Sequence, residues 1–474
     1  MVLTLALLAA SCARRGGGGA SGADAWLSHG PVVGEVTDTS ARLWGRCTGP
    51  AALSVALEPA DLPSRVTSAG VTSARDFTAT ATLDGLRSGT RYQYLAWCGT
   101  RRDRAMRGVF RTAPAPTAAL PVRFAFGADM DGQNVCRDRQ RGCPVFDVIA
   151  TRQPDFFVAL GDMIYADDPC RETGRLGNAQ VPGPDVARDR AGFWAHWRYA
   201  REEPAVQRLL AGTGYYATWD DHEVADDAGP HNAQGAPLFQ LGRQAFLDYH
   251  PIGEALYRRF RWGRHLELFV LDTRSERDAN AGSDEGARAK TMLGATQRAW
   301  LEQGLVGSDA TWKVIASSVP LAVPTSTSAH DGWANGNGPT GFEHELLDIL
   351  ESAARHGVAN ILWLTGDTHH AAAYRFRPFP EQPSFVFHEL TATPLQAGLF
   401  PPQPRDPTLR PERLFLYTPP DRSTVSTFDA ALPWFNFGQI DIGASGDLTA
   451  EIVDALGRTR YRLQLAPSVS SAAP

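Results

Sequence analysis

Three short phrases of this 474-residue chain contain the side-chain types that bind metal ions, namely carboxylates, imidazoles and a phenol. They occupy residues 161–165 (GDMIY), 219–223 (WDDHE) and 366–370 (GDTHH). Each phrase directly follows an apolar run typical of a β-strand that is covered on both faces. The carboxyl ends of strands in open α/β sheets lie along one edge, where ligands bind. Hard oxygen and nitrogen donors that converge there predict a metal centre.

Asp162 and Tyr165 in the first phrase are predicted metal ligands. The two oxygens of the Asp162 carboxylate can bridge two cations, and Gly161 allows the backbone to turn sharply before it. Tyr165 could supply a phenolate, which is a hard anionic ligand suited to ferric iron; packing at an apolar edge is its alternative role. Asp129 follows an earlier apolar run and alone would indicate only a turn. Beside the other phrases it becomes a further candidate ligand.

The second and third phrases supply the remaining candidates. Asp221 is the predicted ligand of the second phrase, whereas His222 is better suited to act as a general acid that protonates a leaving oxygen. Asp367 and His369 alternate along an extended segment, so both can face the same cluster. The other acidic residues of the second phrase are expected to support the ligands through hydrogen bonds.

Arg274 follows a predicted strand at 266–271 and is a candidate for gripping a phosphate group. A salt bridge to Asp272 or Glu276 is about as well supported by the sequence. The chain contains no Gly-x-Ser-x-Gly motif, which disfavours a serine hydrolase. The candidate chemistry is therefore metal-assisted hydrolysis.

The elements that must position these residues belong to a mixed α/β region at 122–467. Apolar runs and helical periodicity together indicate a β-sandwich flanked by helices. Strands are predicted at 122–126, 156–160, 215–218, 266–271, 312–317, 360–364, 385–390, 438–442, 448–453 and 461–465. Helices are predicted at 145–152, 296–303 and 342–356. Two long stretches, 166–190 and 395–432, are expected to cover the site.

Alternating residues at 25–112 predict a small all-β, immunoglobulin-like sandwich ahead of this region, followed by an Ala- and Pro-rich linker at 113–121. Residues 1–24 predict a signal peptide and a Gly-rich tether, with Cys12 as a candidate site of lipid anchoring. Residues 468–474 are expected to form a flexible tail. The chain is therefore expected to be an exported bacterial protein, found in the periplasm, at the cell surface or outside the cell.

Charge and cysteine content bear on the partners of the protein and on its disulfides. A net charge of -6 and a pI near 6.1 disfavour a nucleic-acid-binding surface, which would need a clustered basic excess. Export would allow the cysteines to oxidise. Cys47 and Cys98 form a plausible pair, while Cys136, Cys143 and Cys170 permit one bridge and leave one thiol.

Taken together, these phrases resemble the alkaline phosphatase D (PhoD-like) family of metallophosphoesterases. The resemblance extends over nearly the whole chain. It includes further phrases at 29–34 (HGPVVG), 271–275 (LDTRS), 293–301 (LGATQRAWL), 312–315 (WKVI) and 435–438 (FNFG). It implies a metallophosphoesterase β-sandwich with flanking helices, preceded by an immunoglobulin-like domain. It also implies hydrolysis of phosphomonoesters or phosphodiesters at a cluster of one iron and one or two calcium ions.

The site is also similar to that of purple acid phosphatases, and that likeness implies a division of the ligands. Ferric iron would be held by Asp129, Asp162, Tyr165 and His369. The divalent ions would be held by Asp162, Asp221 and Asp367. Carboxylates stand at 221 and 367 where the purple acid pattern has Asn and His, and such oxygen-rich coordination favours calcium over zinc. Asp129 occupies a position where many PhoD-like chains carry Cys.

The mechanism expected from this likeness is attack on phosphorus by a metal-activated hydroxide, with His222 assisting the leaving oxygen. Expected substrates are small phosphoesters or phospholipid head groups, and the protein is expected to be a monomer. The alternative hypothesis is a cell-surface binding module that has lost activity and retains a structural metal site.

Overall fold

The computed structural model describes residues 24–58, 66–232, 236–281, 284, 290–325, 330–336 and 341–468. The predicted signal peptide with Cys12 and nearly all of the predicted C-terminal tail lie outside these ranges. The strands are β1 (Leu27–Gly34), β2 (Ser40–Cys47), β3 (Ala52–Glu58), β4 (Val66–Gly70), β5 (Thr78–Asp84), β6 (Arg91–Cys98), β7 (Met106–Arg111), β8 (Val122–Gly127), β9 (Phe156–Leu160), β10 (Gly214–Thr218), β11 (Arg258–Trp262), β12 (Leu266–Val270), β13 (Trp312–Ala316), β14 (Ile361–Thr365), β15 (Ala371–Phe376), β16 (Phe387–Thr391), β17 (Pro411–Tyr417), β18 (Asn436–Ile442), β19 (Leu448–Asp454) and β20 (Thr459–Leu465). The α-helices are α1 (Pro144–Thr151), α2 (Arg190–Arg201), α3 (Pro204–Gly212), α4 (Phe239–Tyr249), α5 (Gly294–Gly307), α6 (Glu343–Arg355) and α7 (Phe428–Ala431).

The described strands form three sheets. A nine-stranded sheet has the order β20-β19-β18-β8-β9-β10-β1-β2-β5, and a seven-stranded sheet has the order β11-β12-β13-β14-β16-β15-β17. A smaller sheet contains β4, β3, β6 and β7. The two large sheets pack face to face, because their inward side chains belong to one shared core. This arrangement confirms the predicted fold class, a mixed α/β sandwich flanked by helices and preceded by a strand-rich region.

The apolar run of β9 shows why the central strands lack an alternating polar pattern. Phe156, Val158 and Leu160 point into the core between the two sheets. Phe157 and Ala159 point the other way, into a core shared with helices α1 to α4. Both faces of the strand are therefore covered, and every one of its residues is buried.

The seven-stranded sheet is covered in the same way on its outer face. Leu362 and Leu364 of β14 contribute to the core between the sheets, whereas Ile361 and Trp363 pack with residues of α5 and α6. The protein therefore has the layer order helices, sheet, sheet, helices. This layering holds the strand ends rigidly, and the candidate ligands follow those ends.

The N-terminal strands are joined directly to the strands of the α/β region. Strand β1 pairs in parallel with β10 through Gly34 and Tyr215, so β1, β2 and β5 extend the nine-stranded sheet. A disulfide between Cys47 in β2 and Cys98 in β6 links this sheet to the smaller one and confirms the predicted pair. The domain limits expected at 25–112 and 122–467 stay predictions.

The remaining described cysteines and the described helices have the following properties. Cys136 and Cys170 form a second disulfide, which leaves Cys143 as a buried free thiol among the described cysteines. Among the helices that the structure describes, none has the length and hydropathy of a membrane-spanning segment.

Candidate metal centre

The candidate ligands lie directly after the ends of four central strands. Asp129 follows β8, Asp162 follows β9, Asp221 follows β10, and Asp367 follows β14. Strands β8, β9 and β10 run parallel to one another in the nine-stranded sheet. Strand β14 runs parallel to β13 and β16 in the facing sheet. Both sheets therefore bring ligand-bearing loops to the same end of the sandwich.

The backbone at these positions adopts an uncommon conformation. The φ angles of Asp129, Asp162, Asp367 and His369 are 65°, 51°, 67° and 54°, all in the left-handed region. Residues other than glycine are uncommon there, although Asp, Asn and His tolerate it better than most. Such strained residues cluster at functional sites, where the surrounding structure holds them in place.

The Asp162 turn and the Asp220 loop are held together closely. Gly161 has a φ of +104°, and a Cβ atom at this position would lie 2.5 Å from the Cβ atom of Asp220. The carboxylate of Glu223 accepts hydrogen bonds from the backbone N–H groups of Asp162, Met163 and Asp220, at 3.0, 2.9 and 2.8 Å. Glu223 therefore has the supporting role that was expected for it.

One group of ligand atoms is formed by Asp129, Tyr165 and His369. The phenol oxygen of Tyr165 lies 3.2 Å from Asp129 Oδ1 and 3.1 Å from His369 Nε2, and these two atoms are 3.3 Å apart. Neighbouring ligands of one octahedral cation lie about 3 Å apart when the bonds are about 2.0–2.4 Å. The ring of His369 is oriented by a 2.5 Å hydrogen bond between its Nδ1 atom and the carbonyl oxygen of Gly398. Thr393 donates to the second oxygen of Asp129.

Two further groups share Asp162. Ligand atoms of Asp162, Asp221 and His222 lie within 4.8 Å of one another, and so do those of Asp162, Asp220 and Asp367. The sequence indicated a supporting role for Asp220, but the structure places it among the groups that could hold a cation. Asp162 therefore belongs to both groups and could contribute an oxygen to either.

Three buried carboxylate oxygens in these groups have no hydrogen-bond donor among the described residues. They are Asp162 Oδ2, Asp221 Oδ1 and Asp367 Oδ2. A buried, ionised carboxylate oxygen that lacks a hydrogen-bond donor is disfavoured, and for Asp221 Oδ1 the Arg274 guanidinium lies only at ion-pair distance, 3.5 Å away. The donor set consists of carboxylates with a phenol and an imidazole, which suits hard cations. The residues that are present therefore fit bound metal ions.

The pKa values of the cluster show that negative charge predominates there. Burial raises the pKa values of Asp162, Asp220 and Asp367 well above their ordinary value, and the charges of neighbouring carboxylates raise them further. At Asp220 the positive charge of Arg274 opposes this rise without cancelling it. Burial, together with the charges of nearby carboxylates, also raises the pKa of the Tyr165 phenol. Cations bound at the site would reverse both effects, because they favour the ionised form of each ligand.

His222 is held beside the cluster by a carboxylate that the sequence reasoning missed. Its Nδ1 atom lies 2.8 Å from Asp167 Oδ1, and its ring packs 4.2 Å from the ring of Tyr165, measured between centroids. Burial lowers the pKa of His222, but the charges of Asp167 and Asp221 outweigh this effect and raise it to about 10. These carboxylates thus favour the protonated form of the His222 imidazole.

Arg274 lies at the same site but is fully engaged by other groups. Its guanidinium is buried and contacts Asp220 at 2.5 Å, both oxygens of Asp331 at 2.8 and 2.5 Å, and the carbonyl oxygen of Ala228 at 3.2 Å. A guanidinium has five N–H donors, and these contacts engage each of its nitrogens. The geometry favours the ion-pair alternative, with Asp220 and Asp331 as partners. Asp272 instead accepts a hydrogen bond from the backbone N–H group of Arg274.

Asp331 carries no signal in the sequence that would have identified it, and Asp167 carries only a weak one. Neither residue follows a predicted strand or belongs to one of the three phrases. Asp167 follows the first phrase by two positions, so its nearness to the site was the one available clue. His370, the neighbour of His369, is buried, and its Nε2 atom has no hydrogen-bond partner among the described residues.

Comparisons with known proteins relate this chain to a family of phosphatases. A sequence model of the PhoD-like phosphatase family matches residues 126–444. Alkaline phosphatase D of Bacillus subtilis (strain 168) is 27% identical over 349 residues, which are 66% of this chain and 57% of that protein. The chain thus spans less than two thirds of the length of this curated relative.

Two solved structures share the fold. One is a structure of PhoD, with a TM-score of 0.72 and 18% identity, covering 93% of this chain and 92% of the other. The second is a purple acid phosphatase from the seeds of yellow lupin (Lupinus luteus), with a TM-score of 0.64 and 13% identity, covering 92% of this chain and 74% of the other. At these identities the likeness shows the fold alone.

Proposed function

The chain belongs to the PhoD-like phosphatase family, and on that premise we propose that it is an exported, metal-dependent phosphoester hydrolase. Its substrates in this proposal are phosphomonoesters or phosphodiesters, either as small molecules or as phospholipid head groups. The observation that carries the proposal is the position of Asp162. This residue belongs to both carboxylate-rich groups and has a buried oxygen without a hydrogen-bond donor among the described residues.

We assign the ligand groups to different metals according to their chemistry. Asp129, Tyr165 and His369, together with Asp162, would hold ferric iron, because a phenolate and an imidazole suit that ion better than calcium. Asp162, Asp221 and Asp367 would hold one or two calcium ions, since calcium prefers oxygen ligands. When bound, these cations would supply the positive charge that activates water and neutralises the phosphoryl oxygens.

His222 is the residue that we assign to proton transfer. Its contact with Asp167 fixes the orientation of the imidazole and stabilises its protonated form, as a general acid requires. Asp167 is itself held by the backbone N–H group of Asp226, at 2.7 Å. We assign Arg274 to balancing the charge of Asp220 and Asp221 rather than to gripping phosphate, because its nitrogens are all engaged by protein groups.

Export is supported by the cysteine chemistry. The disulfides Cys47–Cys98 and Cys136–Cys170 require an oxidising compartment to persist. Lipid anchoring through Cys12 stays a prediction from the sequence.

The test is hydrolysis of p-nitrophenyl phosphate and bis(p-nitrophenyl) phosphate by the purified protein. We expect release of p-nitrophenol, loss of activity on exhaustive chelation, and recovery when metal is restored. Asp162→Asn should abolish turnover, whereas Asp309→Asn should not, because the Asp309 side chain is 92% exposed. Full activity of Asp162→Asn or of the chelated protein would refute the proposal. Bound metal without any turnover would favour the alternative, a binding module that has lost activity.

A further inference from the structure

A groove beside the candidate metal centre is built almost wholly from the two long stretches expected to cover the site. Arg175 and Leu176 come from the stretch at 166–190, and most of the remaining lining comes from the stretch at 395–432. The groove has a volume of about 280 Å³, near the lower end of the range of about 300–1,000 Å³ for ligand pockets. We call it the arginine groove, and its further lining residues are Val135, Ala397, Gly398, Leu399, Arg422, Ser423, Val425, Ala431 and Phe435.

The arginine groove shares a residue with the support of the metal centre. Gly398 lines the groove, and its carbonyl oxygen orients the His369 ring, whose other nitrogen faces Tyr165 and Asp129. The side chain of Gln133 accepts a hydrogen bond from the Gly398 N–H group at 3.1 Å. One imidazole ring therefore separates the wall of the groove from the candidate ligand atoms.

The groove combines apolar walls with positive charge. Among the described residues that line the groove, none is acidic and two are exposed arginines, Arg175 and Arg422. Arg422 donates one hydrogen bond to the carbonyl oxygen of Leu399 at 3.0 Å. The Arg175 side chain makes no hydrogen bond or ion pair with any described residue, so its donors are available to a ligand. Guanidinium groups bind carboxylates and phosphates through paired hydrogen bonds.

We propose that the arginine groove is a subsite for the second ester substituent of a phosphodiester, namely an apolar organic group that ends in an anion. This inference rests on the proposed hydrolase function and names a substrate class for it. The apolar part of the substituent packs against Leu176, Leu399 and Val425, while Arg175 and Arg422 bind its anionic end. Most of this lining comes from the two long stretches and not from the strand ends that carry the candidate ligands.

The experiment compares two p-nitrophenyl phosphodiesters that differ at one position. In both compounds one ester substituent is p-nitrophenyl and the other is a phenylpropyl group. The phenylpropyl group ends in a carboxylate in one compound and in a neutral carboxamide in the other. The measured quantity is the ratio of kcat/KM for the acid to kcat/KM for the amide. We expect a wild-type ratio well above one, which falls about five- to tenfold in Arg175→Ala and in Arg422→Ala, the loss typical of a charge-assisted hydrogen bond at a partly exposed site.

Arg171→Ala is the matched control, because Arg171 is exposed on the same stretch and lies outside the lining of the groove. Its ratio should equal that of the wild type. A wild-type ratio near one, an unchanged ratio in the Arg175→Ala/Arg422→Ala double variant, or an equal fall in Arg171→Ala would overturn the subsite. Hydrolysis of p-nitrophenyl phosphate without hydrolysis of either diester would overturn the subsite alone. Failure of the metal-loaded wild type to hydrolyse p-nitrophenyl phosphate and both diesters would instead overturn the proposed hydrolase function, and the subsite with it.

Discussion

Replacing Glu389 by glutamine tests how the sheet beneath the metal centre tolerates a buried acid. Glu389 lies in β16 and is fully buried. Its Oε1 atom accepts hydrogen bonds from the Leu321 N–H group and from Thr365 Oγ1, both at 2.9 Å. Its Oε2 atom has no hydrogen-bond partner among the described residues. Burial raises the pKa of Glu389 to about 7 from an ordinary value of 4.5, although its hydrogen bonds oppose the rise.

The direction in which stability changes with pH follows from the ordinary and the raised pKa of Glu389. Below pH 4.5 Glu389 is neutral in both the folded and the unfolded protein, so it has no effect on pH dependence. As the pH rises towards 7, the unfolded chain ionises first, and the folded state loses relative stability until its own Glu389 ionises. Each pKa unit corresponds to about 1.4 kcal/mol, so the total loss is about 3 kcal/mol. Glutamine keeps both hydrogen bonds to Oε1 and removes the ionisation.

The assay is chemical unfolding of the wild type and Glu389→Gln between about pH 4.5 and pH 8. The difference between the two free energies of unfolding should change by about 3 kcal/mol across this range, in favour of the variant at the alkaline end. Glu381→Gln is the control, because Glu381 is exposed. Parallel curves for the wild type and Glu389→Gln would refute the reasoning.

Four further outcomes are expected. Asp331→Asn should lower the free energy of unfolding by about 3–5 kcal/mol, because it removes a buried carboxylate that accepts from two buried arginines; a change no larger than that of Asp309→Asn would contradict this. Chelation should lower the melting temperature measured by calorimetry, since the buried carboxylates lose their counter-charge; an unchanged melting temperature would argue against structural coupling of the metals. If Tyr165 binds ferric iron as tyrosinate, the metal-loaded protein should absorb visible light, and Tyr165→Phe should remove that absorption band. A band that persists in Tyr165→Phe would exclude a bond between Tyr165 and iron. Asp167→Asn should move the alkaline limb of the kcat profile to lower pH, because the Asp167 charge is the main factor that raises the pKa of His222; an unmoved limb would exclude His222 as the proton donor.

The elements that sequence reasoning located best are those whose residues are buried on both faces. The run at 156–160 became β9 (Phe156–Leu160) without change, and the run at 122–126 became β8 with one added residue. The helix predicted at 342–356 became α6 (Glu343–Arg355), because its apolar residues recur with helical spacing. Continuous apolar runs and helical periodicity are local properties, so the sequence displays them directly.

The elements that escaped prediction owe their structure to contacts distant in the chain. Strand β17 lies inside the long stretch at 395–432, is mostly exposed or half-buried, and forms by pairing with β15. Helix α2 begins at Arg190 and carries several charged residues, so its apolar face was not recognised. In the site, the Asp331–Arg274 contact joins two loops that no local pattern relates. The gathering of the strand-end residues could be predicted because parallel strands bring their carboxyl ends together. The approach of Asp331 to the site could not be predicted in this way.

Because β1 pairs with β10, the N-terminal strands are an integral part of the nine-stranded sheet. Strand β10 leads directly into the Asp220–Glu223 loop, and β1 occupies its otherwise open side. A protein shortened to begin at residue 122 would leave the backbone N–H and C=O groups of β10 unpaired at a new sheet border, where other chains can add. Any dissection of this molecule into separately expressed parts must therefore keep the first strands with the two large sheets.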